Sequence, residues 1–243
     1  MKLLIIRHGD PDYEIDGLTE TGRREAEYLA ERIAPLPVKD YYVSPLGRAK
    51  ATAEPTLRLA GREAVECTWL QEFSVPVRRP DKNGELSRVP WDWLPQDWLA
   101  DPRLLTPDGW RDNPVMREAG VGERYDAVTA AFDQILAEHG YEREGLLYRV
   151  RRANTDTLVF FCHLGLGCLL MSHLMNCSPM VLWQGTAMAP SSVTTLVTEE
   201  RRPGLAAFRA SAIGDISHLY VKGAAPSFAA RFCEVYGNGD RVD

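Results

Sequence analysis

Three short apolar runs dictate most of what this chain can become, because each one stops at residues with chemistry to offer. Leu3-Leu4-Ile5-Ile6 ends in Arg7-His8-Gly9, almost at the N-terminus. Tyr41-Tyr42-Val43 leads into Ser44-Pro45, and Leu158-Val159-Phe160-Phe161-Cys162 stops at His163-Leu164-Gly165. Runs this short and this rich in β-branched and aromatic residues read as strands of a sheet interior. Strands separated by helical periodicity predict an α/β fold, a three-layer sandwich with a mainly parallel central sheet flanked by helices. Ligands of such sheets bind beyond the carboxyl ends of the strands, where both His8 and His163 fall. Gly9 is expected to let the backbone come close to a ligand.

The segments between the runs fit that plan. A helix is expected from about Thr19, with Ala26, Leu29, Ala30 and Ile33 on one face, and Pro35 and Pro37 stopping it. Pro45 suits the first turn of a second helix that carries Arg48 and ends before Gly61. A strand near Ala64–Thr68 precedes Glu72. The stretch 122–139 places Tyr125, Val128, Phe132, Ile135 and Leu136 on a helical face, and Leu166, Leu169, Leu170 and Leu174 continue as a helix behind His163. Strands near Ser192–Thr198 and Ala206–Ala210 form a hairpin around residues 201–204. Composition changes between Ser74 and Gly120, where prolines recur and Trp91, Trp93, Trp98 and Trp110 sit among charged residues. Such a stretch cannot be one long helix, and it is too aromatic for plain disorder. It is expected to be a lid inserted at about 74–120 into a single domain spanning 1–243. It would carry short helices at most, and would line the substrate entrance or serve as a dimer contact.

Composition bounds the rest. A net charge of −6 argues against general nucleic-acid binding, although a few convergent arginines can still make one pocket basic. The five cysteines, Cys67, Cys162, Cys168, Cys177 and Cys233, show no C-x-x-C pairing, as expected of reduced thiols and not of a zinc site. The apolar run at the N-terminus is too short for a signal peptide, and no segment is apolar for long enough to span a membrane. A cytoplasmic protein is expected, possible homodimer formation included, without nucleic-acid or membrane partners.

Four motifs in order carry the functional reading: R-H-G at 7–9, S-P-x-x-R-x-x-x-T-A at 44–53, L-x-E at 70–72 and H-x-G at 163–165. With Leu18-Thr19-Glu20-Thr21-Gly22 and the closing Gly214-Asp215-Ile216-Ser217-His218-Leu219, they resemble the histidine phosphatase superfamily, the group that includes cofactor-dependent phosphoglycerate mutases. The resemblance runs from residue 2 to about 220, apart from the variable middle. It implies a metal-independent phosphomonoester hydrolase with no cofactor, in which His8 attacks phosphorus and becomes a transient phosphohistidine. Arg7 and Arg48 would bind the phosphoryl oxygens through forked donors. His163, if protonated, would add a third cation, and the backbone N–H of Leu164 a further donor. Glu72 is the candidate general acid. Its apolar neighbours Leu70 and Phe73 would raise its pKa and the arginines would lower it, a balance the sequence leaves open. The substrate would be a phosphorylated small molecule or a phosphoprotein. Two rival readings are a phosphoglycerate-type mutase and a non-catalytic phospho-ligand binder on the same fold.

The chain departs from the family pattern between Gly9 and Leu18. Asp10-Pro11-Asp12-Tyr13-Glu14 replaces the usual continuation, so Glu14 stands at the position of a family asparagine, where a carboxylate would repel phosphate unless it turns away. The loop is also short, which points away from mutase activity and towards hydrolysis. His139 and His173 are expected to be structural, and His218 to be structural or to support the site from behind.

Overall fold

The fold, a computed structural model, is described for residues 1–227 and Gly237; Cys233 lies outside the described residues. Eight strands form one sheet: β1 (Lys2–Arg7), β2 (Val38–Val43), β3 (Val65–Glu66), β4 (Tyr141–Glu144), β5 (Leu147–Val150), β6 (Thr157–Cys162), β7 (Val193–Arg202) and β8 (Leu205–Asp215). Their spatial order is β3-β2-β6-β1-β7-β8-β5-β4. The half from β3 to β1 is parallel, whereas every pairing from β1 through β7, β8, β5 and β4 is antiparallel. The sheet is therefore mixed, and parallel only in the half that carries the three apolar runs. The hairpin of β4 and β5 has polar, alternating residues and leaves no long apolar run to announce it.

The pleat sorts the core into two. Leu4 and Ile6 of β1, with Tyr41, Val43, Val159 and Phe161, pack against α1 (Glu20–Ile33) and α2 (Gly47–Ala60) through Leu29, Ile33 and Ala53. Leu3, Ile5, Tyr42, Leu158 and Phe160 face the other way, towards α3 (Val121–Glu138) and α4 (Leu164–Met175). Alternate side chains of one strand thus feed two separate helical layers, the physical content of a three-layer sandwich.

Helix boundaries follow capping chemistry. Thr19 caps α1 by accepting the Gly22 N–H at 3.0 Å. The helix α2 ends at Gly61, whose φ of 61° is left-handed. It begins at Gly47, two residues after Pro45, and it tolerates Pro55 in its interior. The expected strand near 64–68 shrinks to β3, followed by a 3-10 turn at Thr68–Leu70. Helix α5 (Pro179–Gly185), which periodicity did not single out, completes the body.

Residues 74–120 hold a two-stranded hairpin (Val77–Arg78 with Leu86–Ser87) and short helical turns, the longest of them Pro114–Glu118. Trp91, Trp93 and Trp110 are buried in the same core cluster as Phe73, Phe132 and Trp183. The stretch is thus packed on the body by its tryptophans. Among the described residues, no helix is long and apolar enough to cross a membrane.

Candidate active site

Strand register brings the site together. Arg7 lies opposite Cys162, so the residues that follow, His8 and His163, emerge side by side, and the His8 N–H donates to the Cys162 carbonyl at 2.9 Å. Val43 pairs with Phe161, which places Ser44 next to them, its N–H on the Phe161 carbonyl at 3.0 Å. The two imidazoles stand 5.2 Å apart between ring centroids. Sequence positions 155 residues apart thus meet because parallel strands β1 and β6 end at the same height.

His8 is buried, and its Nδ1 lies 2.7 Å from the Gly9 carbonyl oxygen. That contact makes Nδ1 the protonated nitrogen and leaves the lone pair on Nε2. Burial, with help from Arg7 and Arg48, pushes the His8 pKa down to about 3, against the pull of the Gly9 bond and Asp16. The imidazole is therefore neutral at cellular pH, the form in which it is a nucleophile. Gly9 also serves the packing of the loop. A Cβ there would meet the Gly22 carbonyl oxygen at 2.8 Å, so its small size lets the loop pack on α1. Its N–H donates to Thr52 Oγ1 at 2.9 Å, which explains why the second motif ends in Thr-Ala.

His163 is buried as well, and burial, His8, Arg48 and Arg7 hold its pKa well below the ordinary imidazole value. It is not a standing third cation. It would acquire charge only when a dianion arrives to reverse the balance. Ser44 Oγ lies 2.7 Å from its Nε2, while its Nδ1 has no hydrogen-bond partner among the described residues.

The two arginines are anchored differently. Buried Arg7 donates to the Met188 carbonyl. Arg48 donates to Asp16 Oδ1 at 2.5 Å and lies under the Tyr13 ring, 5.5 Å from its centroid. Asp16 also accepts the Gly47 N–H at 2.7 Å, and those bonds and Arg48 keep its carboxyl below the usual range despite partial burial. Glu14, by contrast, is exposed and does not reach the arginines. The acidic residue of this loop that matters is Asp16, a position the motif comparison missed. Its φ of 47° belongs to the tight turn before the Thr19 cap, and an Asp-Gly pair there was the available signal.

Glu72 is half-buried beside the N-terminus of α4. It accepts the Phe73 N–H at 2.8 Å, the Leu166 N–H at 3.0 Å and the Gly165 N–H at 3.4 Å. Burial outweighs these bonds and Arg48, so its pKa is raised. The open question of the sequence is resolved in favour of desolvation. Leu164 opens α4, and its N–H is among those a helix cannot pair internally.

Arg7, His8, Arg48, Glu72 and Leu164 line one cleft of about 580 Å³, and His163 flanks its floor beside Arg7 and Leu164. Four lining residues come from the insertion: Ser74, Arg88, Val89 and Trp91. Ser74 Oγ donates to the Arg88 carbonyl at 2.8 Å, and the exposed Arg88 guanidinium has no ion-pair partner among the described residues. Behind the site, the Ser191 N–H holds the His8 carbonyl at 3.0 Å, and Ser191 Oγ lies 2.9 Å from His218 Nε2. His218 therefore supports the backbone of His8 through one intermediary. Buried Glu25, unmarked by any motif, accepts the Asp10 N–H at 2.7 Å. His139 contacts Tyr42 and His173 contacts Asp133, both away from the cleft.

The pattern of the histidine phosphatase superfamily (branch 1) matches residues 3–211. The chain belongs to that family. Among curated relatives, it is 30% identical to a 2,3-bisphosphoglycerate-dependent phosphoglycerate mutase of Thermoplasma acidophilum over 94 residues, 35% of this chain and 47% of the relative. It is 37% identical to a probable phosphatase of Schizosaccharomyces pombe over 68 residues, 24% of this chain and 32% of that protein. These matches span about half and about a third of the relatives' lengths. Among solved structures, a phosphoserine phosphatase from Entamoeba histolytica superposes with a TM-score of 0.59 at 18% identity, covering 90% of this chain and 98% of that one. A mycobacterial glucosyl-3-phosphoglycerate phosphatase gives 0.53 at 21% identity, with 88% and 98% covered. At such identities the superpositions speak for the fold.

Proposed function

We propose that this histidine phosphatase superfamily member hydrolyses phosphomonoesters without a metal, through a phosphohistidine on His8. The observation that carries the reading is a neutral imidazole whose Nδ1 is tied to the Gly9 carbonyl, leaving Nε2 available in a cleft with two guanidinium groups. In the first half-reaction the Nε2 lone pair forms the P–N bond while the ester P–O bond breaks. Arg7, Arg48 and the Leu164 N–H bind the non-bridging oxygens, and His163 donates from Nδ1 as charge develops. The departing oxygen takes the proton of Glu72. In the second half-reaction water attacks phosphorus, Glu72 accepts its proton, the P–N bond breaks and inorganic phosphate leaves. Arg7, Arg48 and a charged His163 supply the electrostatic stabilisation that a metal supplies elsewhere. Exhaustive chelation is accordingly expected to leave turnover unchanged.

Mutase activity requires the site to hold a second anionic group and keep His8 phosphorylated. Asp16 occupies one edge of Arg48, and the short loop from Gly9 to Leu18 leaves little for a second phosphate to bind, which favours water as the acceptor. Rapid quenching in alkaline SDS, with substrate radiolabelled in its phosphoryl group, tests the mechanism: wild type should carry base-stable, acid-labile label and His8→Ala none, with turnover lost. Label retained by the alanine variant would remove His8 from this role. An assay with 3-phosphoglycerate plus bisphosphoglycerate separates hydrolysis from mutase activity.

A further inference from the structure

Hydrolysis through His8 needs His163 to offer a proton at Nδ1, yet an isolated neutral imidazole can carry its proton on either nitrogen. The residue that touches the other nitrogen is Ser44, whose Oγ lies 2.7 Å from His163 Nε2. Both side chains are buried. The half-reactions proposed above give this hydroxyl no part.

Local sequence limits what the hydroxyl can do. Val43 ends its pairing with β6 at Phe161, and the Ser44 N–H goes to the Phe161 carbonyl, two residues before His163. The backbone of Ser44 is thus tied to the strand that delivers the histidine. Pro45 has no N–H, so the first amide able to turn back is that of Leu46, which donates to Ser44 Oγ at 3.3 Å. A hydroxyl has one proton to give and two lone pairs to fill, and Leu46 fills one of them. Among the described residues, Oγ has no partner besides Leu46 and His163. Were Nε2 to donate, Oγ would accept twice and its own proton would be buried unpaired, a costly arrangement. With Oγ donating to Nε2, the pair is satisfied except at His163 Nδ1, which then carries the proton and has no partner among the described residues.

We propose that Ser44 is a positioning residue that sets the tautomer of His163, so that an N–H and not a lone pair meets the phosphoryl oxygens. An imidazole in the other tautomer would turn electron density towards a dianion. The two histidines of the site are set by different devices. The Gly9 carbonyl keeps the His8 proton on Nδ1 and frees a lone pair, whereas the Ser44 hydroxyl occupies the His163 lone pair and frees a proton. Two imidazoles 5.2 Å apart thereby take opposite roles, one as nucleophile and one as donor. The catalytic use of that donor rests on hydrolysis at His8; the tautomer itself does not.

Nitrogen NMR of protein with isotope-labelled histidine, near neutral pH, reads the tautomer in the resting protein before any substrate is added. His163→Gln identifies the His163 signals among those of the five histidines. Wild type should show Nε2 as the unprotonated nitrogen, a reading that needs no Ser44 variant. Ser44→Ala should lose that preference and shift His163 towards a proton on Nε2. Calorimetry should show inorganic phosphate binding Ser44→Ala about tenfold more weakly, as expected for loss of one hydrogen bond to a charged group. A proton on Nε2 of His163 in the wild type overturns the proposal, as does a tautomer or a phosphate affinity that Ser44→Ala leaves unchanged. Neither measurement requires turnover, so failure to trap a phosphoenzyme would strike the hydrolysis reading alone.

Discussion

The floor and the roof of the cleft are built on opposite principles. The floor, His8, Ser44 and His163, is set by the register of parallel strands, with each residue one step beyond a paired position. The roof, Ser74, Arg88 and Trp91, belongs to a stretch with no helix longer than five residues, held by buried indoles and by the Arg79–Asp81 pair. A strand end can shift only if the whole ladder shifts, so the floor suits chemistry that tolerates no displacement. The roof can change residue by residue without disturbing the sheet, which suits choice of leaving group.

If that division is right, substitutions on the two sides should differ in kind. The largest effect after loss of His8 is expected at Glu72, which the first turn of α4 holds beside the floor. Glu72→Gln should slow alkyl phosphates by roughly 10²–10⁴-fold and aryl phosphates far less, because a phenolate leaves without a proton. Equal slowing of both would make Glu72 structural. On the roof, Arg88→Ala should raise KM about tenfold for substrates whose leaving group is anionic while kcat holds, and should leave neutral leaving groups unaffected. A fall in kcat for every substrate would erase the distinction between the two regions.

A smaller effect is expected at the edge where they meet. Asp16→Asn removes the negative charge competing for Arg48, so inhibition by inorganic phosphate should tighten severalfold. Weaker inhibition would mean that Asp16 serves mainly to position the arginine. The smallest effect concerns stability. His8, with a pKa of about 3, and His218, at about 4, are buried neutral, whereas the unfolded chain protonates them near pH 6.5. Their contribution is complete above that value and fades as pH falls towards the folded pKa values. Glu25 and Glu72, with raised pKa values, act in the opposite sense near pH 4.5 and above. Comparison of His218→Gln with wild type isolates the imidazole: its melting temperature should depend less steeply on pH between 6.5 and 4. Parallel curves would remove His218 from this account.

The same contrast explains what could be read from the sequence. His8 and His163 were legible because an apolar run announces a strand and a strand end announces a site. Arg48 and Glu72 were legible through their motifs. The direction of the Glu72 shift was not, since it depends on how fully α4 and the insertion close over it. Asp16 was missed and Glu14 singled out because loop length decides which residue reaches Arg48, and a short loop defeats alignment by position. Arg88 carried no signal, since a single charged residue in an irregular segment has no period. The antiparallel half of the sheet was underestimated for a related reason: the hairpin at 141–150 is polar and exposed along one face, so no apolar run marks it.

Strand β1 carries a cost that matters before the protein is finished. Its two neighbours are β6 and β7, so residues 2–7 pair with 157–162 and 193–197 and not with anything made soon after them. During synthesis, a strand with four consecutive large apolar residues must therefore wait for some 150 residues to leave the ribosome. Over that interval Leu3-Leu4-Ile5-Ile6 is an unpaired edge available to any other nascent chain. A fragment ending before residue 157 should aggregate, and the full chain should depend on a chaperone until β6 arrives. His8, which directly follows β1, thus reaches its place beside His163 only once β6 has been made.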